Sequence, residues 1–182
     1  MSDHKGVEEF KTILKFAASE EKISQTYNFP PNMLIPLLLS IKYGGDWSIK
    51  DEENFSVAVK DRETVYNSET KEGVSYETIY LLVNPRIVEK EGRVHRIEKC
   101  GLSAERKLVQ RSYNVKAVFD KGLIAKIDPQ KKIIKIEKLN EEKIEFKGTM
   151  AFSLEHEIEH VSSEAEAAGK PIWDFNYIFE EE

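Results

Sequence analysis

Two histidines bracket a glutamate in the segment Leu154-Glu155-His156-Glu157-Ile158-Glu159-His160-Val161. On an α-helix, residues four apart stand one turn above each other, so His156 and His160 can direct their imidazoles at a single metal ion. Glu157 then stands beside them, where its carboxylate can hold and deprotonate a water polarised by the metal. The chain has only 4 histidines, and shuffling its residues would give His-Glu-x-x-His in about one chain in a hundred, so the pattern is informative. The competing reading is a solvated helix face rich in Glu and His.

A catalytic centre of this kind requires a third protein ligand and an open position for water. The residues after His160, Val161-Ser162-Ser163-Glu164-Ala165-Glu166, lack the Gly and third His of a metzincin. Two kinds of ligand remain. Glu164, Glu166 or one of Glu180 to Glu182 would complete a thermolysin-like metallopeptidase. The single thiol, Cys100, would as thiolate be a strong soft ligand for ferrous iron or zinc. A lone cysteine can equally pack as a small hydrophobe.

The elements that must position these groups follow from hydrophobic period. From Thr149 to Glu166, Met150, Leu154, Ile158 and Val161 fall on one stripe, which predicts a helix with a buried face. A first amphipathic helix is expected from Val7 to about Tyr27, on Phe10, Ile13, Leu14, Ala17 and Ala18, with Pro30-Pro31 ending it. Asn32 to Tyr43 reads as a short buried helix or a strand, and Gly44-Gly45-Asp46 as a turn. Between the helices the period shortens: Phe55 to Val59, Thr78 to Val83, Tyr113 to Phe119 and Leu123 to Ile127 read as strands. Ile133 to Leu139 and Lys143 to Phe146, separated by Asn140-Glu141-Glu142, are expected to pair as a hairpin. The order helix, strands, helix predicts one α+β domain over residues 1–182, with largely antiparallel β-sheets wrapped around a central metal-binding helix.

Composition narrows the function classes. With 182 residues, 40% of them hydrophobic and 10% aromatic, the chain can build a sizeable core and is not disordered throughout. Its 27 basic and 33 acidic residues give a charge of -6, which argues against sequence-specific nucleic-acid binding. One cysteine excludes an internal disulfide framework and fits a reducing cytoplasm. Met33 to Ile41, the longest apolar run, is too short to span a bilayer, and the N-terminal residues carry no secretory pattern. A cytoplasmic monomer without membrane attachment is therefore expected.

Three stretches resemble the peptide deformylase family: Leu82-Val83-Asn84-Pro85-Arg86-Ile87-Val88-Glu89-Lys90-Glu91-Gly92, then Glu98-Lys99-Cys100-Gly101-Leu102-Ser103, then Gly148 to His160. In that family the first is a strand with an Asn-Pro, the second the Glu-Gly-Cys-Leu-Ser motif and the third the His-Glu-x-x-His helix, in the same order and similar spacing. Leu108-Val109-Gln110-Arg111 and Val115-Lys116-Ala117 are similar to the segment after the cysteine, so the likeness spans roughly Thr78 to Val161. It implies that Cys100, His156 and His160 bind one divalent ion, with Fe2+ as native metal and Zn2+, Ni2+ or Co2+ as substitutes. It further implies Glu157 as general acid/base and the backbone after the cysteine, at Gly101 and Leu102, as the substrate and oxyanion contact. The reaction implied is removal of the N-formyl group from the N-terminal methionine of nascent proteins. An N-formyl-methionyl peptide with its apolar first side chain would enter between sheet and metal helix, adding to a strand edge.

The chain departs from the family in two places. Lys99 stands where the family has Gly, and Gly101 is inserted before Leu102. The family's Gly-x-Gly-x-Ala-Ala-x-Gln motif is absent, and its nearest counterpart, Leu37 to Gly44, puts Lys42 where the oxyanion-binding Gln stands. Losing one oxyanion donor typically costs on the order of 10²- to 10³-fold in rate. The alternative expectation is therefore a paralogue that is inactive or acts on another substrate, with the fold kept as a binding module.

Overall fold

The computed structural model describes residues 3–99, 105–162 and 170–178. The N-terminal apolar repeat forms α1 (Asp3–Tyr27), after which Asn28 turns the chain at φ 50°, a left-handed conformation that asparagine tolerates better than most residues. Pro31 then opens a 3-10 turn (Pro31–Leu34) that runs into α2 (Ile35–Tyr43), so the segment readable as helix or strand is helical. It buries Met33, Leu34 and Leu37 completely. Gly44 and Gly45, at φ 74° and 79°, reverse the chain into the first strand, a step that side chains with a Cβ resist.

Among the described residues nine strands follow in chain order: β1 (Trp47–Lys50), β2 (Phe55–Asn67), β3 (Glu72–Val83), β4 (Arg86–Glu98), β5 (Lys107–Val118), β6 (Lys121–Asp128), β7 (Ile133–Lys138), β8 (Lys143–Lys147) and, after α3 (Thr149–Val161), β9 (Lys170–Pro171). One sheet runs β1-β2-β3-β6-β7; the other runs β4-β5-β8, with β9 also on β5. Every strand pairing among the described residues is antiparallel. The class is α+β, as the order of patterns predicts. No helix of the described residues is long and apolar enough to cross a membrane.

The chain switches sheets at corners. Asn84, at φ 51°, ends β3 and lets Arg86 start β4 in the other sheet. Its side chain accepts the Phe55 N–H (2.9 Å) and donates to Asn54 Oδ1 (2.9 Å) and to Asp120 Oδ2 (2.8 Å), and Asp120 sits at the return corner between β5 and β6. A third corner corrects the expected hairpin: Ile133–Lys138 pairs with β6 and Lys143–Lys147 pairs with β5, in different sheets. The physical reason is Leu139, which is buried in the core and donates its N–H to Gly122 O (2.9 Å), so the chain turns inward where a hairpin loop would turn back.

Two apolar clusters flank the five-stranded sheet. On one face Phe29, Met33, Leu34 and Leu37 cover Ala58, Ile79, Leu81 and Leu123. On the other, Met150, Ala151 and Leu154 of α3 pack with Val57, Val59 and Leu82 of this sheet and with Val115, Ala117 and Phe146 of the second. The predicted apolar stripe of α3 therefore fills the space shared by both sheets. The helix is shorter than the expected span, because Ser162 is extended (φ -79°, ψ 139°) and closes it at Val161.

Candidate metal centre

Because the apolar stripe fixes the rotation of α3, the residues between its members are aimed at defined neighbours. Glu155 is buried against β5, where it accepts the Ser112 N–H (2.7 Å) and hydroxyl (3.0 Å) and pairs with Lys90 (2.9 Å). This ties the helix to the second sheet at the turn that carries His156. The start of the helix is fixed by Gly148, which at φ 56° and ψ -128° caps it and donates to Tyr113 O (2.7 Å).

His156 and His160 stand one turn apart, as the spacing predicts, with their Nε2 atoms 3.0 Å apart. With ligand atoms of His156, Glu157 and His160 all within 4.8 Å of one another, they form a group that could hold a metal ion. The donor set fits one. Two imidazole nitrogens about 2.0–2.1 Å from a common ion and 3.0 Å apart would subtend roughly 95° there, close to an octahedral edge and reachable by a small opening for a tetrahedral one.

Behind His156 stands a carboxylate. Glu98, the last residue of β4, lies 3.3 Å from His156 Nδ1. Such a partner fixes ring orientation and tautomer, leaving Nε2 to face an ion. Burial works against the charge on Glu98, but hydrogen bonds from His156 and Arg111 and the charges of Arg111 and Arg96 overcome it, holding the carboxyl at about 2. The same Glu98 bond raises the pKa of His156 against the opposing effect of burial. Arg111, only 4% exposed, donates to both Glu98 oxygens (3.1 and 2.8 Å) and to Glu159 on α3.

Glu157, in the same group, reaches β1 of the five-stranded sheet. It is 7% exposed and accepts the Ser48 hydroxyl of β1 at 2.7 Å. Burial pushes its carboxyl up, while the Ser48 bond and the nearby imidazoles pull the other way. A carboxyl tuned upward is suited to exchange a proton near neutral pH.

Beside His156 opens a cavity of about 230 Å³ between the end of β4, with Arg96, Glu98 and Lys99, and α3, with Phe152 and Ser153. Asp46, in the turn before β1, closes it and accepts the Ser153 hydroxyl (2.7 Å).

Of the residues expected at the site, His156, Glu157 and His160 are together. Cys100, Gly101 and Leu102 lie outside the described residues, as do Glu164, Glu166 and Glu180 to Glu182. The strand that brings Glu98 to His156 ends there, and Lys99, the residue before Cys100, follows it at the cavity. Lys42 is elsewhere: exposed in the last turn of α2, its ammonium 4.8 Å from the Tyr43 ring centre, it lines a groove with Lys15 and Phe16 of α1. The side chain that reaches the candidate acid/base is Ser48. Sequence reasoning gave no role to Ser48, Glu98 or Arg111. A signal existed for Arg111, which occupies an inward position of β5 in line with Val109, Val115 and Ala117. A charge in an apolar register announces a buried partner.

Comparison with known proteins adds no relative: no family model matches the chain, no curated protein matches it and no solved structure matches its fold.

Proposed function

We propose that this chain is a metal-dependent amide hydrolase of the peptide deformylase type, with two antiparallel sheets arranged about the metal-binding helix α3. One observation carries the reading. The separate segments on which the resemblance rests, Glu98 before Cys100, Arg111 on β5 and the His156-to-His160 helix, meet at one point, where Glu98 contacts both His156 and Arg111. Nothing in a merely solvated Glu- and His-rich helix calls for a buried arginine and a carboxylate aligned on one of its histidines.

His156 and His160 would hold the ion, with Cys100 as third ligand. The ion, when bound, would supply Lewis acidity, polarising the formyl carbonyl and lowering the pKa of a water. The chain's own groups do the rest. Glu98 holds the His156 ring, and Arg111 keeps Glu98 charged. Glu157, kept partly dry and steered by Ser48, takes the proton of the attacking water and passes it to the leaving amine. The edge of β4, which ends at the cavity, gives an extended peptide a strand to pair with.

The test is deformylation of formyl-Met peptides by protein purified anaerobically with ferrous iron, beside Glu157→Ala and a metal analysis. We expect turnover that falls by on the order of 10²-fold or more in the variant, with metal content unchanged. Stoichiometric metal without turnover of any formyl peptide would overturn the activity and leave a binding role. A metal content that survives Cys100→Ala would replace the thiolate with a glutamate ligand and the deformylase with a metallopeptidase.

A further inference from the structure

The cavity beside His156 adjoins the candidate metal centre, so on the deformylase-type reading its walls meet the side chain next to the scissile amide. An apolar first side chain is the expectation from the resemblance, but these walls set four charged residues, Asp46, Arg96, Glu98 and Lys99, beside the apolar Ile97 and Phe152. Their two acids are already engaged. Asp46 accepts the Lys60 backbone N–H (2.8 Å) and the Ser153 hydroxyl (2.7 Å), and Glu98 accepts Arg111 and His156.

The two cations both line the cavity. Lys99 is exposed, and the Arg96 side chain is 34% exposed. The guanidinium of Arg96 lies 4.5 Å from the Phe152 ring centre, and its Nε contacts Glu98 Oε1 at 3.2 Å. The Phe152 ring and the Glu98 carboxylate hold the guanidinium at two points, and its remaining N–H donors are left for a ligand. A methionine side chain would desolvate both cations and offer them nothing, whereas a carboxylate can accept from the fork and pair with the ammonium.

Resting on the deformylase-type reading of this centre, we infer that the substrate is an N-acyl amino acid or peptide whose first side chain carries a carboxylate, recognised by Arg96 and Lys99. Phe152 serves to orient Arg96, and Ser153 and Asp46 give the cavity floor its polar lining.

Binding and turnover test this separately. Formyl-Glu-Ala-Ser and formyl-Met-Ala-Ser are titrated by calorimetry into metal-loaded Glu157→Gln protein, and kcat/KM for both is measured on the unaltered enzyme. We expect the glutamyl peptide to bind about ten- to a hundredfold more tightly, the scale of one charge-assisted contact. Arg96→Met should erase the preference, and Lys99→Met, at an exposed position, should reduce it without disturbing the fold seen by circular dichroism. Equal binding, tighter methionyl binding, no binding of the glutamyl peptide, or a preference that survives the double variant would overturn the inference. Efficient turnover of formyl-Met alone would also overturn it while upholding the hydrolase. A glutamyl preference in binding with no turnover of either peptide would uphold the specificity and remove the hydrolase.

Discussion

Glu98 accepts from His156 on one side and from Arg111 on the other, so one carboxylate links the candidate ligand to a buried cation. Two predictions belong to this link. If Glu98 orients His156 for a metal, Glu98→Gln, which keeps shape but loses charge, should weaken metal binding about 10- to 100-fold. Competition against a chelator reads this directly, and an unchanged affinity would reduce Glu98 to a structural partner of Arg111. Arg111 carries the opposite risk. Its removal in Arg111→Met takes the buried cation from Glu98, which is left with Arg96 and His156, and leaves the half-exposed Glu159 to solvent. The expected loss is about 3 kcal/mol or more in urea unfolding, the cost of breaking a buried pair from one side. Arg111→Lys should recover only part of it, because a point ammonium cannot donate to two carboxylates along a rigid fork.

The helix carrying the site depends on how it begins. Gly148 has φ 56° and ψ -128°, a combination closed to residues with a Cβ. Gly148→Ala should therefore cost about 1–3 kcal/mol, measured as a lowered thermal midpoint, even though an added Cβ would meet only the Tyr113 ring at 4.0 Å. A cost below that range would mean that the backbone relaxes at no expense to α3. At this scale the sequence was legible where period was strong. The stripe Met150, Leu154, Ile158 and Val161 gave α3 its face, and the alternation around Val115 and Ala117 gave the second half of β5, whose residues 107–112 were not expected to be strand. It was illegible where long-range pairing decided the outcome. β4 is missing from the strands read by period, the resemblance alone implying one as far as Gly92, because Arg86–Glu98 is mostly charged and a register shift between Ile87 and Glu89 breaks its alternation. The expected β7–β8 hairpin failed because Leu139 is drawn into a core that local spacing cannot reveal. In the site, the two histidines and Glu157 were readable from four-residue spacing, but Ser48 lies 109 positions from the group it serves.

For the whole molecule, Glu98, Glu77 and His156 set opposing limits on stability with pH in the metal-free state, and the carboxyl of Glu157, pushed up by burial, adds to the upper limb. The pKa of Glu98 is depressed to about 2. That of Glu77 is lowered too: burial works against its charge, but the hydrogen bonds and charges of Arg62 and Lys60 outweigh it. Acids depressed by folding contribute stability above their unfolded pKa, near 4.3, and lose it as pH falls through the folded value. His156 has the reverse sign. Its raised pKa contributes stability that is full below the unfolded value near 6.5 and lost as pH rises through the folded value. The metal-free protein should therefore be most stable at roughly pH 5–6.5, with one limb falling toward pH 2 and the other falling above neutrality. Urea midpoints measured from pH 3 to 9 trace both limbs. Glu77→Gln should flatten only the acid limb, whereas Glu98→Gln should flatten the acid limb and also shrink the upper one, since it removes the partner that raises His156 and leaves the share of Glu157. An ion on the Nε2 atoms requires His156 to be neutral there, so saturating metal should abolish the upper limb and move the optimum upward. A metal-free profile level from pH 5.5 to 8 would mean that the His156–Glu98 contact contributes nothing to the folded state.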